Sequence, residues 1–295
     1  MDVSVCICTC RRRTLADTIA SVLRQDCLGR IEAELIVCDD DPARSAQAKV
    51  QALAASSPIA IRYVASGAGN VAAARNLCLG AAAGCWIAFI DDDEKADADW
   101  LSQLLATQVA HDADVVKGFV RALYPDDTPP YVLAGNPYQR DYGPTGTRLR
   151  VSAAGNVLFR RALAVDNNIR FDERFGRSGG EDTDFFRRYG ALGARMVASR
   201  EAVVSEIVPH ERVTADYFRR RYLRLGQTNA RQLGPAGGLA RAGEGVKAAI
   251  LVALLSIYPL TPFLGGRAYF RCFSKFWYSR GMLQGLRGLA TEEMS

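Results

Sequence analysis

An α/β domain built on a doubly wound, mostly parallel sheet is predicted by three features of this chain. Short β-rich runs alternate with helical periodicities in a β-α-β-α rhythm from the amino terminus to Ile90. Two apolar runs end abruptly in acids, Val37-Cys38-Asp39-Asp40 and Phe89-Ile90-Asp91-Asp92-Asp93-Glu94, as central strands do where they emerge at the carboxyl edge of an open sheet. The 295 residues are 49% apolar and 23% charged, enough for a substantial core in one large domain with an appendage, or in two domains.

Residues 3–8 read as the first strand, followed by the polar loop Thr9-Cys10-Arg11-Arg12-Arg13. Leu15, Ile19, Val22 and Leu23 recur at helical spacing, with Thr14 placed to cap that helix and Asp17 three residues on. A second strand over 33–38 runs into Asp39-Asp40-Asp41-Pro42, an Ala-rich helix covers 42–55, and a third strand covers 59–64. Gly67-Ala68-Gly69-Asn70 turns into a helix over 71–83, and the strand 86–90 then carries the four acids at its end. After a helix over 100–110 and a strand over 113–120, residues 124–148 are rich in Pro, Gly, Tyr and Asp without periodicity; a loop of that length is usually a lid or a binding segment. Strand character returns over 151–159 around Gly155-Asn156, and Arg160-Arg161 lead into a short helix. In Gly176-Arg177-Ser178-Gly179-Gly180-Glu181-Asp182-Thr183-Asp184-Phe185-Phe186 two glycines allow a sharp bend, and Glu181 and Asp182 open a helix that runs to about residue 189.

The acids at 91–94 cannot stay buried as four adjacent charges. On an extended segment Asp91 and Asp93 point the same way, so both can face one Mg²⁺ or Mn²⁺ that keeps waters and gains phosphate oxygens from a substrate. The alternative is a solvated acidic turn before the next helix, and Glu181-Asp182 likewise reads either as a site or as an ordinary acidic helix start. Two enzyme classes fit poorly. The place of a dinucleotide-binding GxGxxG after the first strand holds Thr-Cys-Arg-Arg-Arg, and a phosphatase with an aspartyl nucleophile would carry its DxD after the first strand, not the fourth.

The net charge of +5 is uneven: residues 211–295 carry 13 Lys and Arg against 5 Asp and Glu, which leaves the first 210 residues at −3. A basic tail behind an acidic domain points to an anionic surface as its partner, and nothing points to nucleic acid. Eight cysteines without a CxxC pair suit a reduced, cytosolic protein, with Cys6, Cys8 and Cys10 on one strand face as packing residues. The amino terminus lacks a basic n-region with a following apolar h-region, so no signal peptide is expected.

Five motifs in order, Val3-Ser4-Val5-Cys6-Ile7-Cys8-Thr9-Cys10-Arg11-Arg12, Val37-Cys38-Asp39-Asp40, Asn70-Val71-Ala72-Ala73-Ala74-Arg75-Asn76, Phe89-Ile90-Asp91-Asp92-Asp93-Glu94 and the stretch 178–186, span about two-thirds of the chain. Together they resemble the family 2 glycosyltransferases of the GT-A fold, more closely the bacterial exopolysaccharide subset of succinoglycan type. The resemblance implies an inverting transfer of a sugar from a nucleotide donor, a UDP-sugar in the first instance, to a saccharide or polyprenyl-diphosphate-linked acceptor. It implies donor contacts by Thr9, Arg11, Asp39, Asp40, Arg75, Asp91 and Asp92, with Thr9 and Asp39 at the base and Arg75 near the diphosphate. Asp91 and Asp93 match the family's DxD, holding Mn²⁺ or Mg²⁺ that stabilises charge on the leaving nucleotide. Asp182 would be the general base and Glu181 its orienting partner. Where relatives often carry a histidine ligand after the last strand this chain has Ser205, so His210 is the substitute candidate for the metal.

Residues 1–210 are expected to form the catalytic domain and 211–295 a basic, apolar, helical region that associates with the membrane. Five arginines and several aromatics over 217–233 read as an amphipathic helix, Gly234-Pro235-Ala236-Gly237-Gly238 as a linker, and the uncharged stretch 248–266, broken by Pro259 and Pro262, as a kinked or re-entrant segment. Phe270, Phe273, Phe276, Trp277 and Tyr278 among basic residues read as interfacial, placing the protein on the cytoplasmic side of the inner membrane; an internally docked helical hairpin or a dimer contact is the alternative. Two other functions remain open on the sequence: a catalytically silent sugar-nucleotide-binding protein, and a nucleotidyltransferase, which would want a Gly-rich, Lys-bearing loop after the first strand.

Overall fold

The computed structural model describes residues 1–177, 179–232, 238–259, 263 and 265–288. Ser178, Pro262 and most of the 234–238 linker lie outside the described residues. The chain divides into two compact units, one of Met1–Ala122 with Gln139–Ile207, the other of Leu123–Tyr138 with Val208–Ser295.

The first unit is built on an eight-stranded sheet. Its strands are β1 (Val3–Thr9), β2 (Ala33–Asp39), β3 (Ala60–Ala65), β4 (Trp86–Phe89), β5 (Glu94–Ala96), β6 (Val115–Leu123), β7 (Val157–Arg160) and β8 (Met196–Ile207), in the order β3-β2-β1-β4-β7-β6-β8-β5. β3, β2, β1 and β4 are mutually parallel, which carries the expected rhythm as far as the acids. Beyond β4 the sheet changes character: β7 is antiparallel to both β4 and β6, and β5 is antiparallel to β8, so the sheet is mixed and not mostly parallel. Periodicity reports that a strand exists and which faces it buries. It is silent on direction, which depends on where the connections return.

The helices of this unit are α1 (Leu15–Val22), α2 (Gln47–Ala54), α3 (Val71–Ala81), α4 (Trp100–His111), α6 (Arg161–Asp166) and α7 (Glu181–Ala191), with α5 (Pro130–Gly135) in the other unit. Side-chain chemistry departs from the sequence reading at two helix starts, shifting that of α2 and changing the role of Thr14 at α1. Residues 42–46 are not helical, because Asp39 and Asp41 hold their backbone: Asp39 accepts from the amides of Asp41 and Ala46, and Asp41 from that of Ala43. Thr14 precedes α1 but makes no cap bond; its hydroxyl donates to the carbonyl of Asp92 at 2.8 Å, as does that of Thr18 at 3.1 Å. The first helix thus anchors the acidic turn. Residues 151–156 are irregular, and α5 occupies part of the segment read as loop.

The second unit contains α8 (Ala215–Gln232), α9 (Gly238–Leu255) and α10 (Gly266–Leu286) besides α5. α8 and α10 approach closely, since a Cβ on Gly226 would clash with the carbonyl of Tyr278 and one on Gly281 with that of Leu223. Phe218, Phe270 and Phe273 are buried in this unit, with the Phe218 and Phe270 rings edge-on at 5.1 Å. Of the five aromatics read as interfacial, Phe270 and Phe273 are therefore internal packing residues, as the docked-hairpin alternative has it, while Phe276, Trp277 and Tyr278 are half-buried. Residues 248–255 lie in α9 and Gly266 opens α10, and no helix among the described residues is long and apolar enough to cross a membrane.

Candidate active site

The four acids after β4 form a turn and not the extended segment that alternation required. The amide of Glu94 donates to the carbonyl of Asp91 at 3.1 Å, and the Glu94 carboxylate accepts from the amide of Asp91 at 3.1 Å. The turn sends its acids to different cations. Asp91 lies 3.8 Å from the guanidinium of Arg75, whereas Asp92 and Asp93 both lie 3.4 Å from that of Arg12. Burial pushes the Asp92 carboxyl up to about 6, against the opposing pull of the Thr9 hydroxyl and Arg12.

Arg75 joins this turn to the second acidic motif. It is carried by α3, whose start is capped by Asn70 accepting from the amides of Ala72 and Ala73. From there the nearly buried guanidinium donates to Glu181 at the start of α7, while its other side faces Asp91 and the ring of Phe171 at 5.7 Å. Burial raises the Glu181 carboxyl, and the charge of Asp182 adds to the rise although Arg75 opposes it. Asn76, one residue beyond Arg75, clamps the approach to α7 by accepting from the amide of Phe171 at 2.8 Å and donating to its carbonyl at 2.9 Å.

The bend into α7 requires its glycines, with φ +83° at Gly179 and +99° at Gly180. Phe185 and Phe186 then seat the helix on the sheet: Phe185 stacks on Phe171 at 4.1 Å, both rings pack edge-on against Phe159, and Phe159 stacks on Phe89, two residues before Asp91. One aromatic cluster thus supports both acidic motifs. Asp182 itself is half-buried, accepts from the Thr183 amide at 2.6 Å, and adds negative charge to the surroundings of Arg75 and Lys117.

At the β1–β2 edge the expected donor contacts are held by the protein's own backbone. Asp39 is fully buried and accepts three hydrogen bonds, the third from the Tyr63 hydroxyl at 3.0 Å, which leaves about one of its roughly four acceptor positions free. Asp40 accepts from the amide of Ala68. Arg11, in a left-handed conformation with φ 56°, pairs with Asp41 at 3.0 Å and holds that carboxyl down at about 2.

Four residues of this region were not singled out from sequence. Arg12 is the arginine of the Arg11-Arg12-Arg13 run that meets the acids. Lys117, in β6, is fully buried and donates to the carbonyls of Gly155 and Ala153. Glu94 is buried beside it and accompanied by Arg140 at 3.8 Å; burial raises the Glu94 carboxyl, reinforced by Asp91, and lowers the Lys117 ammonium, opposed by Glu94. A lone lysine inside the apolar run Val115-Val116-Lys117-Gly118-Phe119-Val120 was the available signal, because such a residue is seldom buried without a partner. Gly155 lies directly against Asp91: a Cβ there would meet its carboxylate.

Two metal candidates resolve differently from the acids. His210 is exposed in the second unit, with Nδ1 3.0 Å from Asp127, and Ser205 stands in the β5–β8 ladder beside Arg121. Among the described residues no three His, Cys, Asp or Glu side chains are grouped to hold an ion. The carboxylates of Asp91 and Asp93 suit a hard cation, but the protein would supply two ligands and a bound diphosphate the rest.

Comparison with known proteins bears on the family and the fold. Residues 4–166, more than half the chain, match the family described as Glycosyl transferase family 2. The succinoglycan biosynthesis protein ExoM of Rhizobium meliloti (strain 1021) is 36% identical over 243 residues, covering 82% of this chain and 79% of its own. Among solved structures, S. aureus TarS 1–349 superposes with a TM-score of 0.56 at 18% identity, over 99% of this chain and 93% of that one. The same protein in complex with UDP-GlcNAc gives 0.55 at 17% identity, again over 99% and 93%. At those identities the structural likeness is one of fold, and the fold is GT-A-like. With the sequence match and the identity to ExoM, this chain belongs to glycosyltransferase family 2 and is a glycosyltransferase.

Proposed function

We propose that this enzyme transfers a sugar, with inversion, from a UDP-sugar to a saccharide carried on a polyprenyl diphosphate during exopolysaccharide assembly. The donor class is supported by the fold shared with TarS, which was crystallised with UDP and with UDP-GlcNAc, and the pathway by the identity to a succinoglycan biosynthesis protein. The observation that carries the reading is Arg75 standing between Asp91 and Glu181, because it brings both acidic motifs to one guanidinium.

In this reading Thr9, Arg11, Asp39 and Asp40 receive the nucleoside end of the donor, and Arg75, with Arg12 drawn from Asp92 and Asp93, faces the diphosphate. Asp182 takes the proton of the acceptor hydroxyl as its oxygen attacks the sugar's anomeric carbon, and the bond from that carbon to the diphosphate oxygen breaks, releasing UDP. Glu181, fixed by Arg75, sets the orientation of its neighbour. Mn²⁺ or Mg²⁺ held by Asp93 and Asp91 would neutralise charge on the leaving diphosphate.

Asp182→Asn tests the assignment. Transfer is expected to fall about 10²–10⁴-fold, the typical worth of a positioned base, with the donor dissociation constant nearly unchanged; turnover at the parent rate would overturn the role. Asp93→Ala should abolish the Mn²⁺-dependent part of donor binding by calorimetry, and an unchanged titration would remove the metal from the proposal.

A further inference from the structure

We infer that the outward face of α9 is a docking surface for an anionic lipid bilayer, on which the helix lies without crossing. The helix is apolar on the side turned to solvent. Val246, Ile250 and Leu254 are 61, 53 and 65% exposed and recur every four residues, which puts them on one face, and Ile257, in the turn that follows the helix, is 60% exposed. Ala242, Ala249 and Ala253 are exposed between them, and Phe263, beyond the helix, is 93% exposed. The opposite side packs inward through Ala248, against Met282 and Ala230. A continuous apolar stripe of this kind on a helix surface marks an interaction site.

The charge around the stripe selects the partner. α9 itself carries Arg241, Glu244 and Lys247, the last two paired at 3.5 Å, and residues 248–290 add five Lys and Arg with no Asp or Glu. A second copy docked on the same face about a two-fold axis would bring two such basic segments together, like against like, whereas an anionic headgroup layer complements them. An apolar helical face flanked by basic residues lies in the plane of the interface, which agrees with the lack of any crossing helix among the described residues. This places the membrane contact on α9 and in the uncharged stretch 248–266 that the sequence read as a kinked or re-entrant segment, while the aromatics Phe270 and Phe273 of α10 are used internally.

Vesicle co-sedimentation tests the surface without donor or acceptor, so its failure would leave the transferase reading standing. The full chain is expected to pellet with phosphatidylglycerol vesicles at low salt and to stay in solution with phosphatidylcholine vesicles. Ile250→Glu/Leu254→Glu should reduce the partition at least about tenfold, given the loss of two large apolar contacts and the addition of two repelled charges. The control Val109→Glu, an equally exposed apolar site in the first unit, should leave it unchanged. Because the substituted positions face solvent, the double variant should keep the parent circular dichroism and melting temperature. Parent and double variant pelleting alike, or a parent that ignores anionic vesicles, would overturn the proposal. So would a parent dimer in light scattering that Ile250→Glu/Leu254→Glu dissociates, which would assign the stripe to a second copy.

Discussion

Arg75 donates a hydrogen bond to Glu181 across 106 residues of sequence, and both side chains are buried. Removing one member of such a pair strands the other charge away from water. Arg75→Met is therefore expected to destabilise the chain by about 3–5 kcal/mol, and Arg75→Met/Glu181→Leu by much less, because no charge is left unpaired. Denaturant unfolding of the two variants decides it; a single variant as stable as the parent would mean that the pair does not hold the motifs together.

Gly155 lies against the carboxylate of Asp91 and has φ +79°. Gly155→Ala carries a backbone penalty of about 1–3 kcal/mol and in addition displaces Asp91. Gly193→Ala separates the two effects, since Gly193 has φ +85° but nothing within 4 Å of a new Cβ. Both variants should lose stability on unfolding, Gly155→Ala at least as much as Gly193→Ala, and Gly155→Ala alone should weaken donor binding in calorimetry. Equal donor affinities would show that the position of Asp91 is unimportant.

Lys117 and Glu94 are both buried near the acidic turn without touching, each pushed toward its neutral form by burial and drawn toward its charged form by the other's field. A double-mutant cycle on Lys117→Met and Glu94→Gln should give a coupling of about 0.5–3 kcal/mol, with each single variant losing more than its share. Strictly additive losses would mean the two groups act separately.

Glu34 ties three strands together, accepting from Ser4 at 2.7 Å, from the amide of Ala83 at 2.8 Å, and from Arg62 at 3.4 Å. Burial alone would raise its carboxyl, but these donors outweigh it and hold it below the ordinary 4.5. A depressed carboxyl stabilises the fold in full above its unfolded value and loses that contribution as pH falls through the folded one. Glu34→Gln should accordingly cost about 2 kcal/mol at pH 7, and the difference from the parent should shrink below about pH 4.5 in unfolding experiments. A difference that does not change with pH would contradict the assignment.

The local code of this chain is legible where chemistry is set by neighbours in sequence. Apolar runs ending in acids gave β2 and β4, the paired glycines gave the bend into α7, and Asn70 gave the start of α3, because strand burial, positive φ and capping are decided within a few residues. Long-range pairing is decided elsewhere. Nothing in the local pattern says that Asp91 turns to Arg75 while Asp92 and Asp93 turn to Arg12, that Lys117 feels the charge of Glu94, or that the sheet reverses direction after β4. The same holds for which apolar face is covered: Phe270 and Phe273 look as exposed in sequence as Ile250 and Leu254, and only packing within the second unit, on Phe218 and Tyr131 for one and on Tyr258 for the other, buries the first pair while the second stays in solvent. By itself the sequence determined the kinds of side chain that could act and the elements that carry them. Tertiary structure decided which charges neutralise one another and which apolar faces remain open, since both depend on contacts between different elements, from 16 residues apart for Arg75 and Asp91 to 106 for Arg75 and Glu181.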